Sequence, residues 1–143
     1  MTGALFDGGS VWRGDNTQAT DRGGSRPFVS DAAWPEATMS SLNECIENCL
    51  ACHRVCLDHF TNMCLEKGGE HVEKTHARLM LDCIQICATS ADFMTRSSEL
   101  HGYVCRACSE VCKKCAESCE KIGMTECAEH CRKCAESCGS MAA

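Results

Sequence analysis

Cysteines recur at helical spacing in three stretches of the sequence. The stretches are CIENCLACHRVC (45–56), CSEVCKKCAESC (108–119) and CAEHCRKCAESC (127–138), and each follows the pattern C-x3-C-x2-C-x3-C. At about 100° per residue, the four cysteines of one stretch fall within an arc of about 60° on a helix. Leucine and isoleucine normally fill such a stripe, which faces the core of a helical bundle. The spacing therefore predicts a core lined with thiols.

Thiols in this arrangement could form disulfides, fill an inert core or bind metal. Side chains four residues apart on a helix have Cβ atoms about 5–6 Å apart, whereas a disulfide needs about 3.5–4.5 Å. Cysteine also buries less apolar area than leucine, so a core made largely of cysteine gives up stability. Thiolates are soft ligands that select Cu(I), Zn(II) or iron–sulfur clusters. Metal binding is favoured over the other two interpretations.

The spacing also discriminates between metals. Iron–sulfur ligands usually lie in loops with C-x2-C-x2-C spacing and a nearby proline, but this chain has no proline after Pro35. Zinc needs discrete tetrahedral sets of four ligands, which two C-x3-C pairs on facing helices could supply. Cu(I) accepts two or three thiolates, so one C-x3-C pair could hold an ion without moving the backbone. A continuous stripe favours a chain of Cu(I) sites, with zinc as the alternative.

The composition bounds the kind of protein. The chain has 143 residues with 16 Cys, 6 His and 7 Met, enough for one domain rich in soft metal ligands. Its net charge of -6 argues against a nucleic-acid surface, and no run of residues has the length and apolarity of a membrane span. Residues 1–39 contain no apolar signal-peptide core, so we expect a cytoplasmic protein with reduced thiols.

The elements that position the cysteines are four predicted helices, at residues 41–67, 70–98, 99–122 and 124–139. Ser41 with Glu44 matches a capping box before the first helix, and Thr125 is a candidate cap for the fourth. Short glycine-containing turns between them imply antiparallel neighbours. We therefore predict an all-α protein in which residues 40–143 form an antiparallel, up-down-up-down four-helix bundle.

The second predicted helix is poorer in thiols than the other three. It carries only Cys83 and Cys87. The rest of its inward stripe is predicted to be Val72, His76, Leu79 or Met80, Ser90 and Met94.

Residues 1–39 differ from the rest of the chain. They are rich in glycine and contain no cysteine, which predicts a flexible or disordered arm. The arm also carries isolated large apolar residues, which suggest a docking peptide that binds a protein partner or folds back on the bundle: Leu5, Phe6, Val11, Trp12, Phe28 and Trp34.

A cysteine-lined four-helix bundle with repeated C-x3-C pairs resembles the bacterial copper storage proteins, in particular their cytosolic type, over residues 40–141. The resemblance implies many Cu(I) ions along the core, mostly with two thiolates each, and assembly into homotetramers. Cys64 and Cys105 would complete sites across helices, and the long arm departs from the compact family pattern. The pairs that match are Cys45/Cys49, Cys52/Cys56, Cys83/Cys87, Cys108/Cys112, Cys115/Cys119, Cys127/Cys131 and Cys134/Cys138.

Methionine and histidine residues cluster at the predicted bundle ends. The turns after the first and third helices share one end, near His59, Met63, Cys64, His76, Met80 and Met124. Thioether and imidazole groups suit a port that admits Cu(I), because they hold it less tightly than thiolates do. The opposite end, with Met94, His101 and Met141, is the alternative port. We expect His53, His71 and His130 on the surface.

These patterns predict a protein that stores or sequesters many Cu(I) ions, buffering or detoxifying copper, and not an enzyme. A thiol redox protein would need one activated cysteine, usually in C-x-x-C at a helix N-terminus. The C-x2-C steps here lie inside longer stripes. A copper chaperone would need only one exposed site, whereas sixteen thiols indicate capacity.

Overall fold

The computed structural model describes the backbone from residue 36 to residue 143 and the side chains from residue 38 onwards. Over this range the chain forms four long helices and no β-strand, which confirms the predicted all-α four-helix bundle. Residues 1–35 lie outside the described residues. The flexible arm and its docking role therefore stay predictions.

The helices have the following bounds. The first, α1, spans Glu36–His59, continues through a π-helical turn at Phe60–Cys64 and ends in a short α-helical segment at Leu65–Lys67. A 3-10 turn at Gly69–Val72 precedes α2 (Lys74–Thr95), which is followed by α3 (His101–Lys121) and α4 (Thr125–Met141).

The predicted start of α1 at residue 41 was wrong. The helix begins at Glu36, so residues 36–39 belong to α1 and not to the arm. Ser41 lies inside the helix and its Oγ donates to the carbonyl oxygen of Thr38 at 3.0 Å, so the capping box with Glu44 does not mark the N-terminus. Ala37 and Met39 are strong helix formers, which explains why the helix starts earlier.

The π turn brings Cys64 into the core. An uninterrupted α-helix places residue 63 about 20° from Cys56 and carries residue 64 about 80° away. The π turn at Phe60–Cys64 adds one residue to the helical turn, so Cys64 takes the inward position. Cys64 is 0% exposed, whereas Met63 is half-buried.

The boundaries of α2 are set by side-chain and backbone geometry that periodicity does not report. The Glu73 carboxylate accepts hydrogen bonds from the backbone N–H groups of Thr75 and His76, at 2.8 and 3.2 Å, and so caps the helix N-terminus. The helix therefore begins at residue 74 and not at 70. It ends at Thr95 because Ser97 adopts a left-handed conformation with φ of 52°.

The turn between α3 and α4 uses a glycine. Gly123 has φ of 77°, and the N–H groups of Gly123 and Met124 donate to the carbonyl oxygens of Glu120 and Cys119. This is a Schellman motif, which requires a left-handed residue after the helix. The predicted cap at Thr125 was wrong, because Thr125 is the first residue of α4 and Met124 occupies the N-cap position without a side-chain hydrogen bond.

Contacts between the stripes define the packing. Cys45 contacts Cys138 while Cys56 contacts Cys127, with Sγ–Sγ distances of 3.6 and 3.3 Å, so α1 and α4 run in opposite directions. The helices α2 and α3 do the same, since Ser90 contacts Cys105 and Met80 contacts Cys119. Each helix thus packs against two others around one core.

The inward stripe of α2 largely follows the prediction. His76, Met80, Ser90 and Met94 are buried, but Val72 is 39% exposed and Leu79 is only half-buried. Met80 and not Leu79 therefore fills the core position. None of the helices in residues 36–143 has the combination of length and apolarity required to cross a bilayer.

Candidate metal centre

All sixteen cysteines lie in the core of the bundle. Each side chain is 0% exposed and each thiol is free. The stripes on α1, α3 and α4 face the bundle axis as the spacing predicted, and α2 adds Cys83 and Cys87 from the fourth side. The core is thus a run of thiols enclosed by helices.

The thiols come together in sets drawn from different helices, within which all sulfur atoms lie within 4.8 Å of one another. One set takes a single cysteine from each of the four helices. Three cysteines, Cys52, Cys134 and Cys138, belong to two sets each, so the sets are continuous. We call this continuous run the thiol column; its sets are Cys45/Cys105/Cys138, Cys49/Cys108/Cys134/Cys138, Cys52/Cys87/Cys112/Cys134 and Cys52/Cys56/Cys83/Cys131.

The shortest sulfur contacts in the core join different helices. Within a helix, the Sγ–Sγ distance is 3.9 Å for Cys52/Cys56, 4.0 Å for Cys83/Cys87 and 3.8 Å for Cys108/Cys112. Between helices, the distance falls to 3.3 Å for both Cys49/Cys138 and Cys56/Cys127. The geometry supports sites shared between helices as well as the predicted two-thiol clamps.

The distances alone do not select one metal. Four sulfurs about 2.3 Å from a tetrahedral zinc ion lie about 3.8 Å from one another, which is close to the spacing seen here. However, closed zinc sites need four ligands each, whereas this column shares sulfurs between adjacent sets. Shared sulfurs favour bridging between neighbouring ions, which soft thiolates provide for Cu(I).

Met80 extends the column beyond its cysteines. Its Sδ lies 3.7 Å from the Sγ of Cys115, 3.6 Å from that of Cys119 and 4.0 Å from that of Cys127. Met80 is 0% exposed, so it lies within the core. Together these residues form a mixed thioether and thiol cluster, linked to the column through the contact of Cys127 with Cys56.

A second soft cluster lies nearer the turns that contain Gly68 and Gly123, which we call the turn end. The Cys64 Sγ is 3.7 Å from the Met124 Sδ and 4.0 Å from the His71 Nδ1. Met124 is only 4% exposed, whereas His71 is half-buried. The sequence predicted His71 on the surface; it is half-buried, and its Nδ1 faces the Cys64 thiol.

The other predicted port residues are placed differently. His76 is buried, with its Nδ1 2.9 Å from the Ser118 Oγ, and its Nε2 has no hydrogen-bond partner among the described residues. The His59 Nε2 lies 3.3 Å from a carboxylate oxygen of Glu126. Met63 remains half-buried because Cys64 takes the core position. The structure thus brings Cys64, Met80 and Met124 to sulfur partners.

The opposite end, near residues 96–100, is the far end of the bundle. Ser90 lies here beside the thiol column, with its Oγ 3.4 Å from the Cys105 Sγ. Met94 is 1% exposed, and its sulfur has no hydrogen-bonding contact with a thiol within residues 36–143. The His101 Nδ1 is 2.7 Å from the Ser98 carbonyl oxygen, away from the thiols.

Burial favours the neutral forms of Cys64 and His76 at the turn end. Burial raises the pKa of the Cys64 thiol, and it lowers the pKa of the His76 imidazole. Hydrogen bonding with Cys138 lowers the pKa of Cys105, but hydrogen bonding with Cys45 and burial outweigh this and raise it to about 11. A metal ion must therefore displace protons from such thiols when it binds.

Known proteins share the sequence pattern and the fold described above. The family model described as "Copper storage protein" matches residues 38–143, which is the whole bundle. The chain belongs to the copper storage protein family. The resemblance that the cysteine repeats indicated is confirmed, and it rests on the part of the chain that holds every cysteine.

Two solved structures resemble this copper storage family member. The Nmul_A1745 protein from Nitrosospira multiformis is 48% identical, with 73% of this chain and 96% of that chain covered and a TM-score of 0.71. The Cu(I)-bound copper storage protein BsCsp3 is 35% identical, with 72% and 99% covered and a TM-score of 0.66. The cysteine-rich protein YhjQ of Bacillus subtilis is 36% identical over 67 residues, and the match spans 61% of its length, less than two thirds.

Two features of the site have only indirect signals in the sequence. His71 follows Cys64 by seven residues across the Gly68–Gly69 turn, a distance at which the helical period no longer applies. The sharing of Cys52, Cys134 and Cys138 depends on the relative heights of four helices. That register follows from packing, and no local spacing encodes it.

Proposed function

We propose that this chain stores Cu(I) in its thiol column. The observation that carries the proposal is that adjacent thiol sets share cysteines, so the column can hold a chain of bridged ions. Membership of the copper storage family and the likeness to a Cu(I)-bound relative support the same metal. When thiolates bridge neighbouring ions, the capacity can approach one Cu(I) per cysteine.

The ligands in this proposal are all sixteen cysteines, together with two thioethers. Met80 faces three thiols, and Met124 faces Cys64, so each can add a soft neutral ligand. His76 is a weaker candidate because its Nδ1 is hydrogen-bonded to Ser118 and its buried Nε2 has no thiol within hydrogen-bond distance. His59, Met63 and His101 have no contact with the thiols that would support a ligand role.

Cu(I) is proposed to reach the column at the turn end. Soft donors lie there in two clusters: Cys64 and Met124 beside the half-buried His71, and Met80 with three thiols, one of which contacts the column. At the far end, His101 contacts a backbone carbonyl and Met94 is buried. The contacts therefore support the turn end as the port.

Storage fits the burial of the thiols better than redox catalysis does. A thiol that exchanges with disulfides of other proteins must be reached by them, yet every cysteine here is 0% exposed. No cysteine has the partly exposed position at a helix N-terminus that an activated thiol needs. Zinc storage remains the competing outcome of the binding experiment.

Anaerobic titration of the reduced full-length protein with Cu(I) tests the proposal. We expect uptake to continue well beyond four ions per chain and to approach the sixteen cysteines. Zinc in closed four-thiolate sites would saturate at about four ions per chain. Saturation near four, with zinc displacing Cu(I), would overturn the proposal.

The cytoplasmic location is a prediction from the N-terminal sequence, and the homotetramer is a prediction from the family resemblance. The exposed side chains of Leu50, Leu57 and Leu81 lie on α1 and α2, which are joined on their outer side by the contact of His53 with Ile84. Exposed leucines on one side of a helix pair favour an interface between copies. Light scattering of the wild type and of a Leu50→Glu, Leu57→Glu variant would test this, and a tetramer in both would exclude this surface.

A further inference from the structure

Ser90 is a buried hydroxyl in a core of thiols. It is 0% exposed on α2, three residues after Cys87. In the repeat C-x3-C-x2-C of the other helices, the corresponding position holds a third cysteine. Ser90 therefore stands where the pattern would place another thiol.

The surroundings of Ser90 match those of a thiol. Its Oγ lies 3.4 Å from the Cys105 Sγ and 3.8 Å from the Cys138 Sγ, and these two sulfurs form a set with Cys45. These cysteines come from α3, α4 and α1, so Ser90 is the contribution of α2. We call Ser90, Cys45, Cys105 and Cys138 the far-end layer.

Other hydroxyls in the bundle are used differently. The Ser109 Oγ donates to the Ala135 carbonyl oxygen at 2.7 Å, and the Thr89 Oγ1 donates to the Gln85 carbonyl oxygen at 2.9 Å. Donation to a backbone carbonyl is the usual role of serine and threonine within helices. The hydrogen-bond partners of the Ser90 hydroxyl within residues 36–143 are sulfur atoms, so this hydroxyl serves the thiol set.

We propose that Ser90 positions Cu(I) at the far end, where its hydroxyl donates a hydrogen bond to a copper-bound thiolate and keeps the layer at three sulfurs. The inference rests on the proposed function. A neutral alcohol oxygen is a hard donor and a poor ligand for Cu(I). It is a good hydrogen-bond donor to an anionic sulfur, and such charge-assisted bonds are about twice as strong as neutral ones.

The Ser90 hydroxyl offsets part of the negative charge that Cu(I) binding leaves in the far-end layer. Three thiolates around one singly charged ion leave net negative charge in a buried site, which is costly without compensation. Ser90 supplies a fixed dipole without adding a further charge. A cysteine at the same place would add a ligand and, when deprotonated, one more negative charge.

The test uses reduced full-length protein loaded with Cu(I) and challenged anaerobically with a Cu(I) chelator. We expect the Ser90→Ala variant to release its most weakly held copper at a chelator concentration roughly tenfold lower than the wild type does. Loss of a residue that hydrogen-bonds a metal ligand lowers metal affinity by about tenfold or more. Ser90→Thr retains the hydroxyl and should restore the wild-type midpoint. Ser90→Cys should raise the saturating copper content by about one ion per chain.

Ser109→Ala is the matched control. It removes a buried serine hydroxyl that bonds a backbone carbonyl, and we expect its chelator midpoint to equal that of the wild type. Equal midpoints for Ser90→Ala and the wild type would overturn the inference, as would equal shifts for Ser90→Ala and Ser109→Ala. Failure of the wild type to take up Cu(I) would instead overturn the proposed function.

Discussion

The two ends of the thiol core differ in the side chain that α2 contributes. At the turn end Met80 places a thioether within 4.0 Å of three thiols, and at the far end Ser90 places a hydroxyl beside two. Both side chains are 0% exposed and lie on the same inward stripe. The helical position of a residue on α2 thus determines whether it faces the core. Whether that residue can bind Cu(I) depends on the softness of its donor atom.

The ends also differ in how they connect to the surface. At the turn end, Met80 contacts three thiols, and a second cluster of Cys64 and Met124 lies beside the half-buried His71. At the far end, the run of sulfur contacts within the described residues stops at Cys45, Cys105 and Cys138. The turn end therefore has soft donors between the thiol column and a half-buried histidine, whereas the sulfur contacts of the far end stop at buried thiols.

Loading with Cu(I) should produce the largest effect. A ligand that binds only the folded state stabilises it by mass action, and at a thousandfold excess over Kd the melting temperature should rise by roughly 15 °C or more. Differential scanning calorimetry of apo and loaded protein measures this. Hydrogen exchange should show the strongest new protection at residues 60–72, and equal protection at residues 96–100 would remove the distinction between the ends.

The affinity for Cu(I) should rise with pH. Burial raises the pKa of Cys64, and the pKa of Cys105 is raised to about 11, so these thiols are protonated at neutral pH and each must lose a proton to bind. Below the pKa, affinity should rise by about tenfold per pH unit for each proton displaced. Chelator competition between pH 6 and 9 measures the slope, and a flat profile would contradict thiolate binding.

The middle of the column should matter more than its far end. Cys52 and Cys134 each belong to two thiol sets, whereas Cys45 and Cys105 each belong to one. We expect Cys52→Ala, Cys134→Ala to lose more bound copper than Cys45→Ala, Cys105→Ala, although each variant removes two thiols. Elemental analysis of gel-filtered, loaded protein gives both values, and equal losses would mean that the sets act independently.

The smallest predicted effect separates the two buried methionines of α2. Met80→Leu keeps the volume but removes a thioether that faces three thiols, so copper at the turn end should be held roughly tenfold less tightly. Met94→Leu is the matched control at the far end, where we expect no change. Chelator midpoints for the two variants measure the difference, and identical midpoints would mean that the thioether of Met80 only fills space.

The sequence predicted those parts of the fold that depend on a local period. The stripes from Cys45 to Cys56 and from Cys108 to Cys119 face the core because 3.6 residues per turn place them there. The family could also be recognised from these repeats. Chain spacing alone was therefore enough for the architecture and for the chemistry of the core.

The sequence could not predict features that depend on tertiary packing or on a break in the period. The π turn moved the core position from Met63 to Cys64, and the Glu73 cap moved the start of α2. The pairing of Cys56 with Cys127 depends on how far α4 is shifted along α1. Such offsets between helices arise from the way their side chains pack, and the spacing of residues along the chain does not encode them.

The π turn has a consequence for the order in which ions enter and leave. By including Cys64, it lets α1 carry inward sulfurs from residue 45 to residue 64, over roughly 28 Å of helix. Neighbouring sulfurs along the core are 3.3–4.0 Å apart, so an ion can pass between them without being released. Because Cu(I) is proposed to enter and leave through the turn end, the ions should leave in the reverse of the order in which they entered. The copper isotope loaded last should therefore be the first that a chelator removes.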